Sequence, residues 1–217
     1  MKKMPKLALI AIAAAASLGA HAQDYPAKDK TVTLVVPFTA GGPTDRVARD
    51  LAEALRKPLG VTVVVDNTAG AGSSIGAARV ARATPDGYTL LLNHIGMSTM
   101  PALYRKLSFS VPNDFEYLGM VNDVPMTLIA RPNIPANNMK ELTGWIAQNK
   151  GKINLGNAGL GAASHLCGLM FQNAMQVEMT TVPYKGTAPA ITDLIGGQIQ
   201  MMIGNFIELQ FLQGKNW

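Results

Sequence analysis

Hydroxyls, backbone amides and two histidines, carried on glycine-bearing stretches, are the groups in this chain with the spacing to do chemistry. In Val35-Val36-Pro37-Phe38-Thr39-Ala40-Gly41-Gly42-Pro43-Thr44-Asp45 a β-branched apolar run that starts at Thr31 gives way to two glycines. Val47, Leu51 and Leu55 then recur at helical spacing. Pro43 suits the first helical position, where a missing N–H costs nothing. The unpaired N–H groups of that first turn point back toward the strand's carboxyl end and predict a mouth for an anion, whether carboxylate or phosphate. The loop holds neither Lys nor Arg, so contact falls to backbone amides and to the hydroxyls of Thr39 and Thr44.

Other chemistries fit less well. Gly72-Ser73-Ser74-Ile75-Gly76 satisfies the G-x-S-x-G pattern of a nucleophile elbow, but Val65 ends its strand nine residues before Ser74, too far for the strained turn an elbow needs. No acid can be assigned to orient His165. The motif reads as small residues opening a helix, with an esterase-like hydrolase using Ser74 as the alternative. Gly70-Ala71-Gly72 and Gly159-Leu160-Gly161 begin like dinucleotide fingerprints, yet Ile75 and Ser164 stand at the third glycine and the ribose-binding acid is missing after both. No cofactor is expected. His21, His94 and His165 lack partners at ligand spacing, so no metal is expected either. His94 at a strand end and His165 in a first helical turn are each either a donor to a ligand or a structural hydrogen-bonder. Lys185, the one cation in these motifs, reads equally as a ligand contact or a solvated lysine.

The elements that must position these groups follow a regular plan. Strands at Thr31–Val36, Val61–Val65 and Tyr88–Leu92 alternate with helices, one of them from Ser74 through Arg82, which predicts a parallel sheet covered on both faces. The loops 39–42, 68–72 and 93–96 then share the sheet's carboxyl edge, where open α/β sheets bind ligands. Extended runs at 117–121 and 126–130 mark a passage to a second unit. There Asn138 caps a helix with Glu141 three residues on, and strand–glycine loop–helix recurs twice. One repeat runs from Ile153-Asn154-Leu155 into a helix at 164–174. The other runs from Met179–Val182 into a helix with Ile191, Leu194 and Ile195 inward. Two such lobes facing each other make a cleft.

The first 22 residues carry Lys2, Lys3 and Lys6, the apolar run Leu7–Leu18 and Ala20-His21-Ala22, the pattern of a secretory signal cleaved after Ala22. Export to the periplasm is the expectation. Removing those lysines lowers Lys+Arg from 19 to 16 against 14 Asp+Glu, so the net charge falls from +5 to +2. No basic cluster remains, and no nucleic-acid partner is expected. Cys167 is the single cysteine, which rules out an intramolecular disulfide, and it lies in an apolar helical run as a core residue would.

Several motifs in order then carry a resemblance. Val35-Val36-Pro37-Phe38-x-Ala40-Gly41-Gly42-x-x-Asp45 is followed by Asp66-Asn67-x-x-Gly70-Ala71-Gly72-x-x-Ile75-Gly76, Asp86-Gly87-Tyr88, Gly159-x-Gly161-x-x-Ser164-His165, Val182-Pro183-Tyr184-Lys185-Gly186 and Asp193-Leu194-Ile195-Gly196-Gly197-Gln198. From about Tyr25 to Met202 the chain resembles the Bug family, the periplasmic substrate-binding proteins of tripartite tricarboxylate transporters. The resemblance implies an α/β fold of the type II periplasmic binding protein class, a Venus flytrap. It also implies a monomer, no catalysis, a small organic acid as ligand and membrane permease subunits as partners. A sensory ligand-binding role shares the fold and stays open.

Carried over residue by residue, the ligand contacts fall on Phe38, Thr39, Ala40, Gly41, Gly42 and Asp45, with Ala69, Gly70, Ala71, Gly72 and Ser73 beside them; His94 joins the candidate set through its place at a strand's carboxyl end. In the second lobe they fall on Gly159, Gly161, Ala162, Ser164 and His165, and on Tyr184, Lys185 and Gly186. Asp45 is expected to organise its loop rather than to meet a carboxylate, which it would repel. Ala162 stands where many relatives carry a hydroxyl, which removes one possible donor. The expected division is a signal at 1–22, a first lobe at 23–122, a second at 123–202 and a divergent tail at 203–217. Beyond Met202 the resemblance lapses, so a truncated or frame-shifted member is expected, its first lobe incomplete.

Overall fold

Two small sheets, each fed by glycine loops, organise the chain. The computed structural model describes residues 25–205, and both the expected signal sequence and the tail from 206 onward lie outside the described residues. In the first sheet β1 (Thr31–Val36) is central, with β2 (Thr62–Asn67) and β3 (Thr89–Leu91) parallel on either side of it. Val32, Val35 and Val36 have no exposed surface. A β-branched run covered on both faces is what a central parallel strand needs, and each such side chain contributes about 1.5–3 kcal/mol by leaving water.

Helix α1 (Pro43–Leu59) packs on this sheet through Ala48 and Ala52 and stops at Gly60, which is left-handed at φ 67°. A short 3-10 turn at Ala71–Ser73 leads into α2 (Ser74–Ala81), close to the expected span. Helix α3 (Gly96–Leu103) was not anticipated, because Gly96 and Pro101 argue against a helix. It forms because Met97 and Met100 bury against Ala77, Phe109 and Val111.

The expected extended run at 117–121 forms no strand. Tyr117, Leu118 and Met120 stand 67%, 82% and 85% exposed, and no described strand pairs with the run, although the Tyr117 hydroxyl donates to the Val111 carbonyl at 2.9 Å.

The second sheet has the order β4 (Met126–Ala130), β7 (Met201–Asn205), β5 (Asn154–Asn157), β6 (Thr180–Pro183). Strands β5, β6 and β7 run parallel, and β4 is antiparallel to β7, pairing Met126 with Asn205. Strand β7 was missed in the sequence and crosses the boundary placed at residue 202. Met201, Met202 and Ile203 fill the core beneath α4 (Met139–Gln148), α5 (Ala163–Met175) and α6 (Thr187–Ile195).

The cap of α4 is as expected. Asn138 accepts from the Glu141 N–H at 3.0 Å, while the Glu141 carboxylate reaches back to the Asn137 N–H at 2.8 Å. On α6 Leu194 is buried, but Ile195 is 45% exposed rather than inward. One residue is a turn of about 100° on a helix, enough to carry Ile195 past the apolar face. Cys167 packs against the second-sheet core but is only partly buried. No described helix is long and apolar enough to cross a membrane.

Candidate functional site

Because β1, β2 and β3 are parallel, their carboxyl ends deliver the loops at 37–42, 68–73 and 93–95 to one edge. Asn67 Nδ2 donates to the Phe38 carbonyl at 3.1 Å, and Asn93 Nδ2 donates to Ser73 Oγ at 3.3 Å, so the three loops are tied to one another. Asp45 is buried and its Oδ2 accepts from the Gly41 N–H at 2.9 Å, while Arg49 closes an ion pair on the same carboxylate. Burial works to raise the Asp45 pKa, but the Arg49, Gly41 and Asn67 contacts outweigh it and hold the carboxyl below its ordinary value. Asp45 organises its loop, as expected of it.

The Phe38 and His94 rings stack at 4.7 Å with 24° between their planes. The Gly96 N–H donates to His94 Nδ1 at 3.0 Å. Burial holds the His94 imidazole down at about 4, so the ring is neutral near pH 7.

In the second lobe Ser164 Oγ accepts from the Ala158 N–H at 2.9 Å, and Asn157 Oδ1 accepts from the Gly159 N–H at 2.9 Å. His165 Nδ1 accepts from the Gly161 N–H at 3.2 Å, which is the structural tie between helix and loop; burial lowers its pKa. The Tyr184 hydroxyl donates to Asp193 Oδ2 at 2.7 Å, and burial followed by the Asp193 carboxylate pushes its pKa up to about 12. Lys185 is exposed.

The two lobes meet loop to loop. The Tyr104 hydroxyl lies 2.8 Å from the Ala71 carbonyl and 2.9 Å from the Leu160 carbonyl, one on each lobe. Gly72, at φ 57°, faces Leu160 so closely that any Cβ would overlap the Leu160 carbonyl oxygen. A Cβ at Gly186 would likewise run into the Thr39 side chain.

Between these contacts lies a cavity of about 20 Å³, lined by Phe38, Gly42, Pro43, Thr44 and His94 from one side and Ala158, Ala163, Ser164 and Thr187 from the other. Met126, Gly204 and Asn205, from the paired strands β4 and β7, close its end. The first turns of α1, α5 and α6 all reach it, and none of the three has a side-chain cap. Uncapped N–H groups and the positive ends of three helices therefore converge on a space with no charged side chain among its lining residues. Thr39 Oγ1, from the β1 loop, and Asn157 Nδ2, from the end of β5, are buried without a protein partner among the described residues. No described group of His, Cys, Asp and Glu could hold a metal ion.

Of the residues anticipated from the sequence, Phe38, Gly42, His94 and Ser164 line the cavity. Gly72, Gly159, Gly161 and Gly186 make the lobe-to-lobe contacts instead. Ala40, Gly41, Ala69, Gly70, Ala71, His165, Tyr184 and Lys185 lie outside the lining. Thr44, anticipated through its hydroxyl, also lines the cavity, whereas Pro43, Met126, Ala158, Ala163, Thr187, Gly204 and Asn205 were not in the anticipated set. Thr187 sits just after Gly186 at a helix start, a signal that would have found it.

Comparison with known proteins decides the family. Residues 47–214 match the model of the tripartite tricarboxylate transporter family receptor. The chain belongs to that receptor family. The match runs twelve residues past Met202, so the family likeness does not lapse there as the motifs suggested.

Among relatives, a UPF0065 protein from the TAR-I ttuE-ttuC′ intergenic region of Agrobacterium vitis is 47% identical, over 84% of this chain and 52% of its own length. The chain thus spans about half the length of that curated relative. The solved periplasmic binding protein BugD is 54% identical with a TM-score of 0.79, covering 82% of this chain and 60% of BugD. MatC from Rhodopseudomonas palustris with bound malate is 36% identical, TM-score 0.77, covering 83% of this chain and 60% of MatC. A second R. palustris protein, solved with adipate, is 35% identical, TM-score 0.80, over 84% and 60% of the two chains. The fold is that of the periplasmic binding proteins.

Proposed function

We propose that this chain is the solute-capturing part of a periplasmic receptor for a small organic carboxylate, held in the cavity between its two lobes. The expected division into lobes at 23–122 and 123–202 is part of the same proposal, with β7 carrying the second lobe on to Asn205. The observation that carries it is the convergence of three uncapped helix starts on a cavity whose lining includes hydroxyls and a neutral imidazole but no cation. Aligned N–H groups hold an anion without the desolvation penalty of a buried lysine.

The malate and adipate of the two R. palustris proteins support a dicarboxylate as the first ligand to try. A cavity of about 20 Å³ has room for little more than a water-sized group. The lobes must therefore part to admit a dicarboxylate. Thr39, Gly42, Thr44, Ser164 and Thr187 are the contacts this reading favours. Export through the leader at 1–22 and delivery to membrane permease subunits are part of the same proposal, supported by the family match.

A thermal-shift panel of mono-, di- and tricarboxylates tests the reading. A rise in melting temperature with a dicarboxylate, saturating with concentration, is expected; no shift with any acid overturns it. Ser74 does not support the hydrolase alternative: no hydrogen bond joins it to a histidine among the described residues, and His165 Nδ1 is taken by Gly161.

A further inference from the structure

His94 is the one titratable side chain among the cavity's described lining residues, and its surroundings fix more than its position. Its main-chain N–H donates to Asn93 Oδ1 at 2.9 Å, and Asn93 in turn donates to Ser73 Oγ. Its ring lies against Phe38 on one face. The Gly96 N–H points into Nδ1. A neutral imidazole has one donor nitrogen and one acceptor nitrogen, so Nδ1 as acceptor leaves the hydrogen on Nε2. Nε2 has no hydrogen-bond partner among the described residues and is not among the buried unpartnered atoms. Turning the ring over would give up the Gly96 bond, and protonating Nδ1 would set two N–H groups against each other.

Resting on the carboxylate reading above, we propose that His94 is a specificity-determining residue: a neutral imidazole locked as the Nε2–H tautomer, which offers a single N–H to an acceptor oxygen of the ligand. Its low proton affinity, caused by burial, agrees with that geometry. The cavity's other described lining residues, from the β1 loop, α1, α5, α6 and the β4–β7 pair, bring no titratable group against it. The charge of the site then stays constant from about pH 5 to 8, and the pH dependence of binding in that range comes from the ligand's own carboxyl groups. A fixed donor also discriminates. It rewards an oxygen at that point of the ligand and penalises a methylene there, because an N–H that the ligand covers and leaves unpaired is costly.

Long-range proton–nitrogen NMR on the full chain reads the tautomer directly, with His94→Gln used to assign the resonances. The expected pattern is a protonated Nε2 and a bare Nδ1 from pH 7 down to 5. An Nδ1–H ring, or an imidazolium at pH 6, overturns the proposal whatever the ligand. Malate is then titrated into the wild type, His94→Gln and His94→Phe. Glutamine keeps a donor near the Nε2 position and should bind within about fivefold of wild type; phenylalanine keeps the stack without the donor and should bind at least tenfold more weakly. Equal binding by the phenylalanine variant, or malate binding that leaves the Nε2–H shift unmoved, overturns the donor role while the carboxylate reading stands. If the tautomer is as described and no acid of the mono-, di- and tricarboxylate panel binds the wild type, the carboxylate reading fails and takes the donor role with it.

Discussion

The two lobes present helix starts to the same cavity but equip them differently. In the first, the turn of α1 already contains an acid: Asp45 draws in the Gly41 N–H, and Pro43 at the helix start has no N–H to give. In the second, neither α5 nor α6 has an acid in its first turn, and the buried hydroxyls of Ser164 and Thr187 sit at their starts. On the proposed reading the second lobe therefore supplies most of the attraction for an anion. The first supplies shape, a stacked ring pair and one neutral donor. The division suits a receptor that closes by moving one lobe onto the other, because the charged part of the ligand can settle on one lobe before the second completes the cavity.

The largest effect that would break this comparison comes from preventing closure. Gly72→Val should leave malate affinity at least about a hundredfold weaker by calorimetry, because a side chain there meets the Leu160 carbonyl and the left-handed backbone resists it. Undiminished affinity would show that the lobes need not meet.

Next, Ser164→Ala removes the acceptor of the buried Ala158 N–H in the second lobe. Chemical denaturation should show a loss of about 1–3 kcal/mol, and malate affinity should fall by tenfold or more. The matching change in the first lobe, Asp45→Ala, should cost about 1–3 kcal/mol of stability through the freed Gly41 N–H and the lost Arg49 pair. Its effect on affinity should stay within a few fold, since Asp45 shapes the loop without touching the ligand. If Asp45→Ala weakens binding more than Ser164→Ala, the assignment of roles to the lobes is reversed.

Acid should separate two contributions within the first lobe. His94 has a folded pKa of about 4 against an ordinary 6.5, so the folded state binds fewer protons than the unfolded one between those values. Stability is complete above about pH 6.5 and falls as pH drops toward 4, by up to about 3 kcal/mol. His94→Phe should flatten that window in a pH series of denaturation curves. The loss through Asp45, whose pKa is lowered, begins only below its ordinary 3.8 and should survive the His94 change. The smallest effect is expected at Lys185, which is exposed and outside the cavity lining; Lys185→Gln should change malate affinity less than twofold.

Much of the first lobe was legible in the sequence because its signals are local. The β-branched run at 31–36 and the Gly41-Gly42-Pro43 entry to α1 act within a few residues, as does the Asn138–Glu141 cap in the second lobe. What stayed hidden depends on partners far along the chain. Strand β7 is made a strand by pairing with both β4 and β5, and its methionines give no alternating pattern of their own. Helix α3 owes its existence to Met97 and Met100 finding Phe109 and Val111, against the local advice of Gly96 and Pro101.

At the site the same division holds. Glycines at strand ends marked the loops, but only the meeting of the lobes shows that Gly72 and Gly186 serve contact between them while Thr187 and Asn205 face the cavity. Tyr184 and Lys185 lie in a motif beside the site, and the fold turns Tyr184 to Asp193 and leaves Lys185 in solvent.

The central claim is that a carboxylate sits where three helix starts converge, and malate titrated into labelled protein at pH 7 tests it most directly. The account predicts saturable shifts of the Thr44, Ser164 and Thr187 amide resonances together, one from each helix. Binding that moves resonances around Ser74 and spares those three, or no binding at all, would contradict it.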